Sequence, residues 1–175
     1  HYKGKYRIDS ARWAGYDYGA NGTYFVTICT KDRQHYFGSI IKYEDDFALQ
    51  PTLIGQRAID CWFSIPDHFP FVYLDEFQVM PNHIHGLLRI DKPDYHHWQP
   101  NTFGPQRRNL ASILRGYKVG VTSFARQHEI EFGWQPRYHD RVVRNEDELF
   151  RIRNYIRMNP AKWADDVTNI AGLYM

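Results

Sequence analysis

The chain has 175 residues, of which 43% are hydrophobic, 24% charged and 17% aromatic, and its formal net charge is +2. This length and composition exclude a disordered segment and predict a single domain over residues 1–175. No stretch reaches the ~18 consecutive apolar residues of a membrane span, and no signal-type segment opens the chain, so we expect a cytoplasmic protein without a membrane partner. Cys29 and Cys61 lack the density of a disulfide framework, and we expect both to be reduced core residues.

The first half of the chain predicts a strand, a helix and a hairpin. Residues 23–30 (TYFVTICT) are rich in β-branched and aromatic side chains, which is typical of a strand. After a loop, apolar residues between positions 54 and 65 recur at helical spacing and predict an amphipathic helix that ends before Pro66. Two extended segments, 72–80 and 83–90, flank a Pro81-Asn82 turn and predict a hairpin.

The second half begins with a proline-rich stretch, 91–105, which predicts a long surface loop. A helix is predicted over 110–124 and a strand over 137–143. The last helix is predicted to begin at the cap Asn145, with Glu148 completing a capping box, and to end at Pro160.

This order of elements predicts the fold class. Strand, helix, strand, strand, helix, strand, helix is the order of an α+β, ferredoxin-like split β-α-β sandwich with an antiparallel sheet. The additional C-terminal helix carries Tyr155.

Two histidines at the start of a predicted strand indicate a metal site. Residues two apart on a strand face the same side, so His83 and His85 present two imidazoles side by side. The Pro81-Asn82 turn places them at the strand's first residues, and Gly86 removes a side chain beside them. The alternative is that both histidines are ordinary half-exposed polar residues.

The last predicted helix adds two candidate residues. Tyr155 and Asn159 are four apart and share one helix face, at the edge of its apolar stripe. The Asn159 amide oxygen is suited to be a third, neutral metal ligand. Alternatively, Tyr155 packs at an interface and Asn159 only precedes Pro160.

Positive charge is concentrated in one part of the chain. Residues 107–162 contain twelve Lys or Arg and six Asp or Glu, an excess of +6 that predicts a polyanionic partner unless these residues are only solvated helix surface. Arginine predominates, which suits bidentate contact with phosphate. The candidates for DNA binding are Arg108, Arg115, Lys118, Arg137 and Arg141.

Three segments resemble motifs of a known family. Residues 79–88 (VMPNHIHGLL) resemble the histidine-hydrophobic-histidine (HUH) motif of single-tyrosine transposases, and residues 155–160 (YIRMNP) resemble the tyrosine-helix motif of their REP-associated branch. Residues 134–142 (WQPRYHDRV) resemble the Trp-Gln segment between those two motifs. The resemblance covers about residues 23–162 and leaves 91–105 and the tail beyond 162 unmatched.

The resemblance implies both a fold and an activity. It implies a ferredoxin-like fold, Tyr155 as the nucleophile, and His83 and His85 as ligands of Mg²⁺ or Mn²⁺. Asn159 stands where related insertion-sequence transposases have a glutamine ligand. The implied enzyme cleaves and rejoins single-stranded DNA beside hairpins through a covalent 5′-phosphotyrosine, as a monomer or a homodimer.

Two other functions are compatible with the same residues. One is a non-catalytic DNA-binding domain derived from such an enzyme, which needs the basic helix but not Tyr155. The other is a metal-dependent hydrolase in which water attacks and Tyr155 is structural.

Overall fold

The computed structural model describes residues 21–93 and 108–174, with side chains up to Asp165. Most of the predicted 91–105 loop therefore lies outside the described residues. The elements in chain order are β1 (Gly22–Cys29), β2 (Gly38–Tyr43), β3 (Asp46–Pro51), α1 (Leu53–Phe63), α2 (Ile65–His68), β4 (Val72–Met80), β5 (His83–Ile90), α3 (Leu110–Gln127), β6 (His139–Val143) and α4 (Glu146–Tyr174).

Four strands form the central antiparallel sheet, in the order β4-β5-β1-β6. Helix α1 lies in the connection between β1 and β4, and β5 is inserted between these two strands in the sheet. Helix α3 connects β5 to β6, and β1 is inserted between those two strands. This is the interleaved split β-α-β arrangement, so the predicted α+β, ferredoxin-like class is confirmed. No helix among residues 21–93 and 108–174 combines the length and apolar character that crossing a bilayer requires.

One face of the sheet forms the hydrophobic core with α1 and α3. On β1, alternate residues are fully buried on this face, and α1 contributes the fully buried ring of Trp62. Gly86 belongs to the same face, where an added Cβ would overlap the Trp62 ring. The prediction that Gly86 makes room beside the histidines was wrong, because successive residues of β5 point to opposite faces. The core side chains of β1 are Tyr24, Val26 and Ile28.

Helix α4 is attached to strand β4 by two ion pairs. The register of β4 against β5 shifts between Leu74 and Phe77, a bulge that contains Asp75 and Glu76. Arg153 donates to both carboxylate oxygens of Asp75, and Arg157 donates to Glu76 at 2.9 Å. These pairs hold the helix that carries Tyr155 against the edge strand.

The second half of the chain differs from the prediction at three points. Helix α4 continues through Pro160 to Tyr174, although an internal proline costs about 3 kcal/mol in an isolated helix. Trp163, beyond the proline, contacts the rings of His83 and His35, so tertiary packing supports the continuation. Asn145 caps the Glu148 amide, but the Glu148 carboxylate pairs with Arg141 instead of completing a capping box. Strand β6 begins at 139 instead of 137.

In the first half, the segment 38–51, expected to be a loop, forms the β2–β3 hairpin as a separate two-stranded sheet. The predicted first helix divides at Ser64, and Pro66 belongs to the short helix α2. Proline is tolerated there because an amide in the first helical turn has no partner to lose.

Candidate functional site

The two histidines lie side by side on the sheet face opposite the hydrophobic core. Their ring centroids are 4.7 Å apart. The Nδ1 atom of His83 lies 2.6 Å from the Asn82 side-chain oxygen, and Nδ1 of His85 lies 2.8 Å from the Thr27 hydroxyl. An amide oxygen only accepts, so His83 donates from Nδ1 and its Nε2 lone pair is available to a ligand. Thr27 can hold His85 in the same tautomer, an arrangement that is typical of metal-binding histidines.

Both imidazoles are neutral near pH 7. The pKa of His83 is lowered to about 4, chiefly by burial and also by the positive charge of Arg33, while the Asn159 side chain, which can accept from the protonated ring, acts in the opposite direction. Burial also holds the pKa of His85 well below its usual value, with added repulsion from His83 and Arg33. A neutral imidazole is the form that binds a metal ion, so the two rings have the protonation state that a metal site needs.

Helix α4 brings Tyr155 over this pair. The Tyr155 ring lies edge-on to the His85 ring, with 5.3 Å between the ring centroids. The Phe25 ring also lies edge-on to Tyr155, at a centroid distance of 6.3 Å. Tyr155 is 45% exposed, so its phenol is accessible to a substrate. The ammonium of Lys162 lies 5.8 Å from the centroid of the same ring.

Asn159 lies one turn beyond Tyr155 and is buried. Its Nδ2 donates to the Tyr155 carbonyl at 3.2 Å, which leaves Oδ1 as the atom for His83. Since Nδ1 of His83 is taken by Asn82, the Asn159 oxygen and the Nε2 lone pair are both acceptors, and a cation between them would satisfy both. Within residues 21–93 and 108–165, no group of three or more His, Cys, Asp or Glu is placed to hold a metal ion. The groups that could hold a metal ion here are therefore two imidazoles and one amide oxygen, a set that would leave positions open to water or phosphate oxygens.

The structure distributes the five basic candidates over three places. Arg115, Lys118 and Arg137 line one groove of about 490 Å³ between α3 and the segment 134–138. Arg108, before α3, lies with its guanidinium 5.1 Å from the Phe71 ring centroid. Arg141 is on the histidine face, opposite Phe25 in the register, and pairs with Glu148 through Nε and Nη2.

Within the groove, Lys118 has a structural role. Its ammonium donates to the carbonyls of Gln135 at 3.2 Å and Arg137 at 3.4 Å, and burial lowers its pKa. These contacts fix the 134–138 segment against α3. The groove also contains Arg126, which belongs to the basic stretch 107–162 but was not among the five candidates. It lies eleven positions after Arg115, three helical turns that place both on one face.

Sequence reasoning also missed the residues that surround the histidines. Thr27 and Arg33 lie more than 50 residues from His85, and no local pattern connects them with it. His139 is opposite Thr27 on β6, and Thr27 is opposite His85, so all three belong to one row on the site face. The register of the sheet is the only signal that brings them together.

Comparisons with known proteins agree with this architecture. No family model matches the chain. An uncharacterized protein of Haemophilus influenzae is 37% identical over 166 residues, which cover 90% of each chain. The solved structure of a REP-associated tyrosine transposase bound to a REP hairpin is similar with a TM-score of 0.58, at 18% identity over 86% of this chain and 72% of that one. A proposed transposase from Deinococcus radiodurans aligns with a TM-score of 0.45, at 16% identity over 83% of this chain and 96% of that one. The chain therefore belongs to one protein family with the Haemophilus influenzae protein and has the fold of the REP-associated tyrosine transposase.

Proposed function

We propose that the protein is a transposase-type DNA strand transferase that cleaves and rejoins single-stranded DNA beside hairpins through a covalent bond to Tyr155. The observation that carries this proposal is the accessible Tyr155 phenol over two neutral imidazoles on the sheet face opposite the core. A protein of the same fold is described as bound to a REP hairpin, which supports a hairpin substrate here.

The chemistry is an in-line displacement at phosphorus. The phenol oxygen of Tyr155 attacks the scissile phosphate, a new O–P bond forms, and the bond from phosphorus to the 3′ oxygen breaks. The phenol loses a proton and the leaving 3′ oxygen gains one, which produces a 5′-phosphotyrosine and a free 3′-hydroxyl. A 3′-hydroxyl of another strand reverses the step, so rejoining needs no ATP.

His83, His85 and Asn159 are the residues that would hold Mg²⁺ or Mn²⁺. A bound divalent ion supplies Lewis-acid polarisation of the phosphate and neutralises the leaving oxygen. Asn82 and Thr27 orient the two imidazoles, and Phe25 and Lys162 border the tyrosine ring.

A denaturing gel tests the proposal. The protein is incubated with end-labelled hairpin DNA carrying single-stranded flanks, in Mg²⁺, in Mn²⁺ and in EDTA. We expect a labelled protein–DNA adduct in the metal lanes alone, and none with Tyr155→Phe. If the DNA is cleaved without forming an adduct, and cleavage persists in Tyr155→Phe, the hydrolase is favoured. If the protein binds the DNA but cleaves it in neither metal, the non-catalytic domain is favoured.

A second measurement separates metal binding from catalysis. A bound metal stabilises the folded protein, by about 2.7 kcal/mol at 100 times its Kd. We expect Mn²⁺ to raise the thermal midpoint of the wild type and of Tyr155→Phe equally. We expect no rise in the His83→Gln, His85→Gln double variant, and an equal rise there would place the metal elsewhere.

A further inference from the structure

The turn that follows β1 is fixed beside the candidate site. Residues Lys31–Arg33 form a single 3-10 turn in which Asp32 and Arg33 have φ of 52° and 56°, a left-handed conformation that is uncommon for such residues. The Thr30 hydroxyl donates to the Gln34 carbonyl at 2.7 Å, and the Thr30 amide donates to the Asn82 carbonyl at 3.0 Å. The Lys31 amide donates to the Gly133 carbonyl at 2.8 Å. The turn is therefore tied both to the residue before His83 and to the segment after α3.

The Arg33 side chain reaches back over the end of β1. Its Nη1 donates to the Cys29 sulfur at 3.3 Å. Cys29 is directly opposite His83 in the β1–β5 register, and directly opposite residues face the same side with Cβ atoms about 5 Å apart. The guanidinium thus borders the His83 end of the pair, and its charge is felt at His83, His85 and His139.

Arg33 is exposed, and its contacts within the protein leave most of its N–H donors open to solvent or to a ligand. A guanidinium has five N–H donors, and within the described part of the chain Arg33 has one hydrogen-bond partner, a thiol, which is a weak acceptor. The backbone hydrogen bonds of residues 30–34 already fix the turn, so the thiol contact is not needed to hold it. A positive charge beside neutral imidazoles also opposes cation binding there, unless an anion enters with the cation.

We propose that Arg33 binds a nonbridging oxygen of the scissile phosphate and stabilises the negative charge that develops when Tyr155 attacks. This inference rests on the proposed function and adds a second electrostatic group to the same site. The planar guanidinium matches phosphate oxygens bidentately, and a positioned cation is most effective where charge grows in the transition state.

The test uses the full chain with two substitutions at Arg33 and one matched control. Arg33→Gln removes the charge, and Arg33→Lys retains a charge without the bidentate fork. Arg89→Gln is the control, because Arg89 lies at the far end of β5, pairs with Asp91 and is exposed. Thermal unfolding verifies that all three variants fold.

The first readout is the single-turnover rate of adduct formation at saturating DNA. We expect Arg33→Gln to be at least about 100-fold slower, Arg33→Lys to recover part of the rate, and Arg89→Gln to match the wild type. A merely structural role would instead lower the thermal midpoint of both Arg33 variants alike. A folded Arg33→Gln variant that forms the adduct at the wild-type rate overturns the proposal.

The second readout does not depend on catalysis. In the Tyr155→Phe background, the salt dependence of single-stranded DNA binding is compared with and without Arg33→Gln. Loss of one phosphate contact makes the negative slope of log K against log salt shallower by about 0.7. If the wild type forms no adduct, the proposed function fails, and this slope still decides whether Arg33 contacts phosphate. An unchanged slope would contradict that contact.

Discussion

Arg153 and Asp75 form a two-pronged ion pair in which Nε and Nη2 of the guanidinium lie 2.9 and 2.6 Å from the two carboxylate oxygens. They are 78 residues apart in sequence, and they join the bulge of β4 to the helix turn just before Tyr155. Together with Glu76–Arg157, this contact fixes the position of the tyrosine relative to the histidine strand. Its consequences for activity can be measured by exchanging the charges.

We expect Asp75→Arg to slow adduct formation roughly tenfold to 100-fold, because a nucleophile displaced by about 1 Å loses rate on that scale. Stability should fall by only about 1 kcal/mol, since both side chains are partly exposed to solvent. The Asp75→Arg, Arg153→Asp exchange should restore much of the rate, whereas Arg153→Asp alone should not. Asp91→Asn, which removes an exposed pair outside α4, serves as the control. Additive losses in the double variant would argue against a positioning role.

The neutral histidine pair predicts how stability depends on pH in the metal-free protein. The pKa of His83 is lowered to about 4, so between that value and about 6.5 the unfolded chain binds a proton that the folded chain does not. Stability should therefore fall as pH decreases through this window, by about 2 kcal/mol for His83 after allowance for its partial exposure.

Thermal unfolding in EDTA at several pH values measures this effect. His83→Gln should reduce the slope of the profile between about pH 6.5 and 4, and the remaining slope reflects His85, whose pKa is also lowered. His68→Gln, which changes an exposed histidine on α2, is the control. The lowered pKa of Asp75 acts in a different range, because its ion pair stabilises the fold above about pH 4 and is lost below it. A wild-type profile without a slope above pH 4 would show that His83 is protonated in the folded state.

The groove on α3 predicts a salt-dependent contribution to hairpin binding. Arg115 and Arg126 are both exposed and lie on its rim, so each can contact one duplex phosphate. Replacing both with Gln should make the negative slope of log K against log salt shallower by about 1.8, at about 0.9 for each lost contact. Lys42→Gln, on the outlying β2–β3 hairpin, is the control. Fluorescence anisotropy over a salt series measures the slopes, and identical slopes would place the hairpin on another surface.

Gly86 predicts a stability effect without a direct effect on the site. A Cβ there would overlap the Trp62 ring, which is fully buried and stacked 4.6 Å from Phe77. We expect Gly86→Ala to cost about 1–3 kcal/mol. Gly116→Ala is the matched control, because its Cβ would meet only an ordinary contact with Phe69 at 3.7 Å and alanine favours the helix. Equal denaturation midpoints for the two variants would contradict the packing.

Local periodicity was sufficient for much of the fold and for the pairing of candidate residues within each element. The alternation of β5 puts His83 and His85 on one face, and the helical spacing of α4 puts Tyr155 and Asn159 on another. The order of strands and helices then leaves few compact arrangements. The β2–β3 hairpin was missed because residues 41–46 are all exposed and no residue from 39 to 51 is buried, so no core-facing pattern marks its strands.

What the sequence by itself determined is which residues share a face, because the periods of strand and helix are local properties of the backbone. What only the tertiary structure decided is which faces meet: Tyr155 over His85, Thr27 beside His85, and Arg33 at the His83 end of the site. Those contacts depend on strand register, on a bulge and on ion pairs between residues far apart in the chain. The same holds at Pro160, where the conformational cost of an internal proline predicted that the helix ends. Packing of Trp163, beyond the proline, against His83 offsets that cost.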